Sequence, residues 1–385
     1  MSSLTIAVGP AEQTSGAGSE TPPKTPRTPA GAAESATSTG AKTATTLNNN
    51  NASRRLPDGI YVPMLTFFHP ETEDLDLASM QKQAARLQQA GVAGILLHGS
   101  NGEAAHLTHE ERVRNIQAVV DAVRTDRLDL DSATPFPVLA GCGAQSVRET
   151  VDLCTEAAAA GATHALILPP GYYASIMGAD QLSAFFLAVA RRSPIPILIY
   201  NFPAAASGID LNSDTICALA AAHPNIVGVK LTCGNTGKLA RVVAGTTAMG
   251  RGPGSANPFF VAGGSADFIL QGAIVGANGS ISGLANLAPR ACTEILELFR
   301  QGRLEEARKL QAVVAQGDWL AIRYGFVGVK HGLQKFGSIG LGSAASLPSS
   351  VPRKPCQLLS TEAQAEFDAG TESLLDEEQT LQASA

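Results

Sequence analysis

Asn225-Ile226-Val227-Gly228-Val229-Lys230 is an apolar run of strand character that delivers a single lysine at its end. Burying an ammonium there costs free energy, because a low dielectric disfavours the charged form. A common return for that cost is a neutral amine able to attack a carbonyl carbon. A lysine ending a strand also suits an exposed surface position. The neighbours of Lys230 therefore decide the reading.

Short apolar strands recur on both sides of this run, at Ile60–Thr66, Gly94–His98, Pro137–Ala140, Ala165–Leu168, Pro196–Tyr200, Phe259–Ala262 and Gly279–Ser282. Segments of helical periodicity separate or follow them: Leu77–Ala90, His109–Arg124, Val147–Ala160, Gln181–Arg191, Ser213–Ala222, Lys238–Ala244, Ala266–Val275 and Pro289–Arg300. Strand–helix alternation implies parallel pairing through right-handed crossovers. Eight such units over about 280 residues predict an α/β fold, a closed (β/α)8 TIM barrel, with an open doubly wound sheet as the rival. Capping boxes are expected at Thr108-His109-Glu110-Glu111 and Ser146-Val147-Arg148-Glu149. Met249 to Ser255 reads as a flexible glycine-rich insertion.

The ends differ from the middle. Residues 1–55 contain no Phe, Tyr or Trp and are read as a disordered, low-complexity tail. The barrel is assigned to 56–302 and a C-terminal helical extension to 303–340, with helices at Leu304–Gln316 and Trp319–Phe336. Residues 341–385 are read as a linker followed by an acidic segment, either helical or frayed. The net charge of −6 argues against nucleic-acid binding, and no apolar run is long enough to span a bilayer. Six scattered cysteines fit reduced thiols inside a cell. The N-terminus is Ser/Thr-rich like organelle transit peptides, but Glu12 and Glu20 precede the first basic residue, Lys24. That order favours the cytoplasm over mitochondria.

In a parallel barrel, reactive groups belong at the C-terminal ends of strands. Four stretches fall there: His98-Gly99-Ser100-Asn101-Gly102-Glu103, Pro169-Pro170-Gly171-Tyr172-Tyr173, Tyr200-Asn201-Phe202-Pro203, and Lys230 itself. Together they offer an amine nucleophile, phenols for proton transfer and a loop of backbone amides. Gly99-Ser100-Asn101-Gly102-Glu103, Tyr200-Asn201-Phe202-Pro203 and Val227-Gly228-Val229-Lys230 resemble, in order, three signatures of the dihydrodipicolinate synthase / N-acetylneuraminate lyase family of class I, Schiff-base aldolases. The likeness spans roughly residues 57 to 340.

The resemblance implies that Lys230 forms an imine with a 2-oxo acid and Tyr200 shuttles the proton at the bond being cut. Ser100 would relay that proton, assisted by Tyr172 from a neighbouring subunit of a dimer or tetramer. Ser100 and Asn101 would hold the substrate carboxylate, with Gly264 and Ile281 lining the pyruvyl site. No metal and no cofactor beyond the lysine are expected. Each residue also has an ordinary use: Tyr200 as a core tyrosine, Ser100 and Asn101 as turn residues, Glu103 as a brace for its loop. His106, His109 and Glu110 lack a convincing third ligand for zinc.

Departures from the family pattern narrow the substrate. Synthases condensing pyruvate with aspartate semialdehyde carry an arginine just after the Y-N-x-P proline. Here that stretch is Ala204-Ala205-Ala206-Ser207-Gly208. Ser100-Asn101 resembles 4-hydroxy-2-oxoglutarate aldolases, whereas Lys230-Leu231-Thr232-Cys233-Gly234-Asn235 resembles fungal L-threo-3-deoxy-hexulosonate aldolases. The expected activity is cleavage of a 4-hydroxy-2-oxo acid or 2-keto-3-deoxy sugar acid to pyruvate and an aldehyde. The alternatives are a dihydrodipicolinate synthase-like condensation or a dehydratase on the same scaffold, and a non-catalytic 2-oxo-acid-binding relative.

Overall fold

A computed structural model describes residues 55–125, 135–336 and 349–384. The expected tail at 1–55, apart from Arg55, and residues 341–348 of the expected linker lie outside the described residues.

The strands are β1 Gly59–Pro63, β2 Gly94–Leu97, β3 Val138–Gly141, β4 His164–Ile167, β5 Ile197–Asn201, β6 Ile226–Leu231, β7 Phe260–Gly263 and β8 Gly279–Ile281. All pair in parallel in sequence order, and β1 closes on β8 through Gly59 opposite Gly279 and Tyr61 opposite Ile281. The helices between and after them are α1 Leu77–Gln89, α2 His109–Thr125, α3 Val147–Ala159, α4 Ala179–Arg192, α5 Ser213–Ala222, α6 Thr236–Thr246, α7 Ile269–Ile274 and α8 Pro289–Arg300. The closed barrel is therefore present and the open sheet is not.

Period-two alternation sorts the strand residues into two cores. In β5, Ile197 and Ile199 face the helices, whereas Leu198 and Tyr200 face inward beside Tyr61, Leu166, Phe260 and Ile281. β6 breaks this rule at one place. Ile197 pairs with Ile226, but Leu198 pairs with Gly228, so Val227 is an extra residue, a β-bulge. Counting by twos from the outward Ile226 would send residue 230 outward as well. The bulge resets the count, leaving Val229 and Leu231 on the helix side and Lys230 inside. Glycine is required next to it, because a Cβ on Gly228 would sit 2.6 Å from the Phe260 carbonyl oxygen.

Two stretches differ from expectation, and the acidic C-terminal segment takes one of its two expected forms. One helix, α9 Leu304–Phe336, runs through residues 317 and 318, where a break was expected, and is interrupted instead at Gly325, whose φ of 59° only glycine adopts readily. The acidic segment is a helix, α10 Thr361–Ala383, which buries Phe367, Leu374 and Leu375. Its Glu378 carboxylate accepts the Arg290 and Ala291 amides at the start of α8, at 3.2 and 2.8 Å. The glycine-rich stretch near 250 is anchored rather than loose: buried Arg251 donates to the carbonyls of Ala220 (2.6 Å), Ile226 (3.0 Å) and Asn257 (3.1 Å).

Thr108 and Glu111 form the expected capping box. At α3 only half of one forms. Ser146 accepts the Glu149 amide, while the Glu149 carboxylate turns to His109. Among the described residues no helix is long and apolar enough to cross a membrane.

Candidate active site

Tyr200 and Lys230 stand at paired register positions on β5 and β6. In parallel strands that places both side chains on the same face, here the barrel interior at the C-terminal mouth. The Lys230 Nζ donates to the Tyr200 hydroxyl at 3.4 Å and lies 4.5 Å from the ring centroid. The Ser100 hydroxyl stands 3.4 Å from the same phenolic oxygen, so amine, phenol and hydroxyl form a chain. Phe202 stacks on the far side of the Tyr200 ring at 5.7 Å. Lys230 is 3% exposed, and among the described residues no carboxylate lies within ion-pair distance of it.

The chain opens into a cavity of about 410 Å³ walled by Lys230, Tyr200, Ser100, Asn101, Gly264 and α9 residues including Phe326. A second cavity of about 300 Å³ lies behind Ser100 and Tyr200, but Lys230 is not part of its wall. Lys230 therefore opens onto the first of the two.

Of the expected site residues, Lys230, Tyr200, Ser100, Asn101 and Gly264 converge on that cavity. Ile281 does not reach it; it is fully buried beneath, packed in the barrel interior. Tyr172 does not line that cavity; it is 78% exposed, edge-to-face with Tyr173 at 5.0 Å. Asn201, beside Tyr200 but on the opposite face, braces the next loop by bonding Asp210 and the Leu211 amide.

The loop carrying Ser100 is strained at both ends, with positive φ at His98 (55°) and Glu103 (53°). Burial and the Arg112 guanidinium push His98 well below its ordinary pKa. Glu103, expected as a brace, is the hub of a buried clamp: its carboxylate accepts Lys330 Nζ, the His106 ring (2.9 Å) and the Arg353 amide (3.0 Å). Arg353 in turn forks onto Glu111 at 2.8 and 2.6 Å. The zinc alternative fares poorly on geometry, since His109 is taken up by Glu149 and Glu156.

Sequence reasoning missed Asp318, Asp267, Ser265 and Phe326, all in the cavity wall. Asp318 Oδ2 accepts the Ala266 and Asp267 amides at 2.6 and 3.0 Å, so α9 holds the loop after β7. Burial, then the neighbouring Asp267, raise the Asp318 carboxyl to about 7. A signal existed: Asp318 falls on the buried stripe of α9 with Val314 and Ala321, where a lone charge is out of place.

The chain matches the model of the dihydrodipicolinate synthetase family over residues 56–373. It belongs to that family. Among family members, it is 51% identical over 312 residues to "Probable 4-hydroxy-2-oxoglutarate aldolase, mitochondrial" of Emericella nidulans, covering 81% of this chain and 93% of that one. It is 42% identical over 327 residues to the L-threo-3-deoxy-hexylosonate aldolase of Hypocrea jecorina, covering 85% and 98%. Of solved family structures, a dihydrodipicolinate synthase family protein from Coccidioides immitis superposes with a TM-score of 0.74 at 35% identity, over 85% of this chain and 99% of that one. The prophage protein YagE of E. coli K12, solved in complex with pyruvate, gives 0.72 at 26% identity, over 83% and 99%.

Proposed function

We propose that the protein is a metal-independent class I aldolase that cleaves a 4-hydroxy-2-oxo acid, or a 3-deoxy-2-oxo sugar acid, to pyruvate and an aldehyde. The observation that carries this reading is the unbroken chain from Lys230 Nζ through the Tyr200 hydroxyl to Ser100 Oγ in the mouth of the barrel. The names of the Emericella and Hypocrea relatives support it, as does pyruvate bound to YagE.

The residues support a balanced sequence of steps. The Lys230 amine attacks the C2 carbonyl, and loss of water, with a proton given up by the neighbouring Tyr200 hydroxyl, leaves a protonated imine and a deprotonated Tyr200 oxygen. That oxygen then takes the proton of the C4 hydroxyl. The C3–C4 bonding pair then flows into the imine as an enamine, and the C4 oxygen becomes the aldehyde carbonyl. Protonation of C3 and addition of water release pyruvate and restore the amine. Backbone amides around Ser100 and Asn101 receive the substrate carboxylate. Among the described residues no arginine stands in the wall of the cavity, which disfavours a condensing synthase that must clamp a second carboxylate.

Tyr172 is read as completing a partner subunit's proton path, consistent with the exposed cluster it forms with Tyr173 and Ile176. The enzyme is accordingly read as a homo-oligomer, testable by analytical ultracentrifugation. The barrel from 56 and the extension from 303 are read as one catalytic unit, because α9 supplies Asp318 and Phe326 to the cavity. The compartment divides the indicators: Glu12 and Glu20 favour the cytoplasm, and the relatives from Emericella nidulans and Coccidioides immitis carry "mitochondrial" in their names. Fractionation of cells expressing the tagged full chain decides it. The activity itself is tested by coupling released pyruvate to lactate dehydrogenase over a panel of 2-oxo acids. Pyruvate from hydroxylated 2-oxo acids supports the proposal; turnover by dehydration alone, or none, refutes it.

A further inference from the structure

The wall of the Lys230 cavity is polarised. Ser100 and Asn101 lie on one side. Thr232, Ser265, Asp267 and Asp318 lie along the rest, supplied by the ends of β6 and β7 and by α9. Among the described residues, the acidic and basic side chains in the wall are Lys230, consumed by the imine, and the neighbouring carboxyls of Asp267 and Asp318. Asp267 Oδ1 accepts the Ser265 hydroxyl at 2.7 Å, while its Oδ2 meets no protein donor among the described residues. The Thr232 hydroxyl is fully buried and likewise has no protein partner there. Asp318 fixes the backbone of this loop through two amides, and Gln311 adds a second tie by accepting the Leu270 amide (2.8 Å) and donating to the Ala266 carbonyl (2.8 Å).

We propose that this half of the cavity selects an uncharged, hydroxylated aldehyde half: Asp267, Ser265 and Thr232 bind its hydroxyls, Asp318 holds their loop in place, and a second substrate carboxylate is repelled. This rests on Lys230 forming the imine, and it chooses between the two substrate types left open above. A diacid would bring its distal carboxylate towards the Asp267 carboxylate with no cation among the described wall residues left to meet it, whereas a polyol supplies the donors that the free Asp267 oxygen lacks. Asp267 and Ser265 are specificity-determining groups in this scheme, and Asp318 is a positioning residue.

The test compares condensation of pyruvate with glyceraldehyde and with glyoxylate, in the wild type and in Asp267→Asn, Ser265→Ala and Asp318→Asn. The wild type is expected to show a kcat/KM at least about tenfold higher for glyceraldehyde. Asp267→Asn should shrink that preference about tenfold, raising KM for glyceraldehyde while improving use of glyoxylate. Ser265→Ala should raise KM for glyceraldehyde alone. Asp318→Asn should lower use of both aldehydes in proportion to loop disorder and change the preference less than Asp267→Asn does. Equal or better use of glyoxylate by the wild type overturns the inference, as does an equal loss on both aldehydes in Asp267→Asn. Borohydride trapping of pyruvate on Lys230 separates the levels. An adduct with the wrong preference removes only this inference, and no adduct removes the aldolase reading with it.

Discussion

Of the buried lysines, Lys230 and Lys330 differ most usefully in their partners. Lys230 and Lys330 are 3% and 1% exposed, and each lies over an aromatic ring, 4.5 Å from Tyr200 and 4.7 Å from Phe68. Lys330 is paired with the buried Glu103 carboxylate and also donates to the Val351 carbonyl at 3.1 Å. Burial pulls its pKa down and Glu103 offsets part of that. Lys230 has a phenol and no carboxylate. The partner, not the burial, separates a structural ammonium from an amine available to react.

Replacing each lysine by methionine should break the comparison in opposite directions. Lys230→Met is expected to lower kcat/KM by at least ~10³-fold, with a melting temperature equal to the wild type or higher. Pyruvate release and a thermal melt on the same preparation check both halves. Lys330→Met should instead leave Glu103 buried without its lysine, keeping only the His106 ring and the Arg353 amide, and cost about 3–5 kcal/mol in urea unfolding. Adding Glu103→Gln to that chain should recover a good part of the loss, because no uncompensated charge then remains.

Asp318 sharpens the contrast, as a buried carboxyl with no cation partner among the described residues. Its carboxyl is raised from 3.8 to about 7 in the fold, so the folded state binds the proton more tightly than the unfolded chain. The stability this contributes is full below about pH 4 and is lost as pH rises through about 7. The span is on the order of 2–4 kcal/mol. Asp318→Asn should flatten stability between pH 5 and pH 8; an unchanged slope would show that Asp318 titrates near its ordinary value. The smallest effect is expected from Arg353→Ala, about 1–2 kcal/mol, since its fork onto Glu111 is partly exposed. Limited proteolysis should then cut near residue 353 sooner.

The barrel was legible because each of its units repeats one local pattern, and local pattern is what a sequence displays. The convergence of Tyr200, Lys230 and Ser100 was legible because they lie at or just after the ends of strands, where a parallel barrel gathers its reactive groups. The bulge at Val227 was not, since nothing in Ile226-Val227-Gly228 distinguishes an extra residue from a paired one until β5 is beside it. Helix α10 was hidden by its acidic composition; its apolar residues Phe367, Leu374 and Leu375 have meaning only against α9 and α8. Asp267 was invisible for a related reason: its role depends on amides held by a helix about 50 residues away in sequence. Ile281 was over-read, because facing the barrel interior is not the same as reaching the cavity.

The most direct measurement of the central claim is borohydride reduction of the full chain with pyruvate, followed by peptide mapping. The account predicts one pyruvate-derived modification, on Lys230, with Lys330 untouched. Modification of Lys330, or of neither lysine, would contradict it.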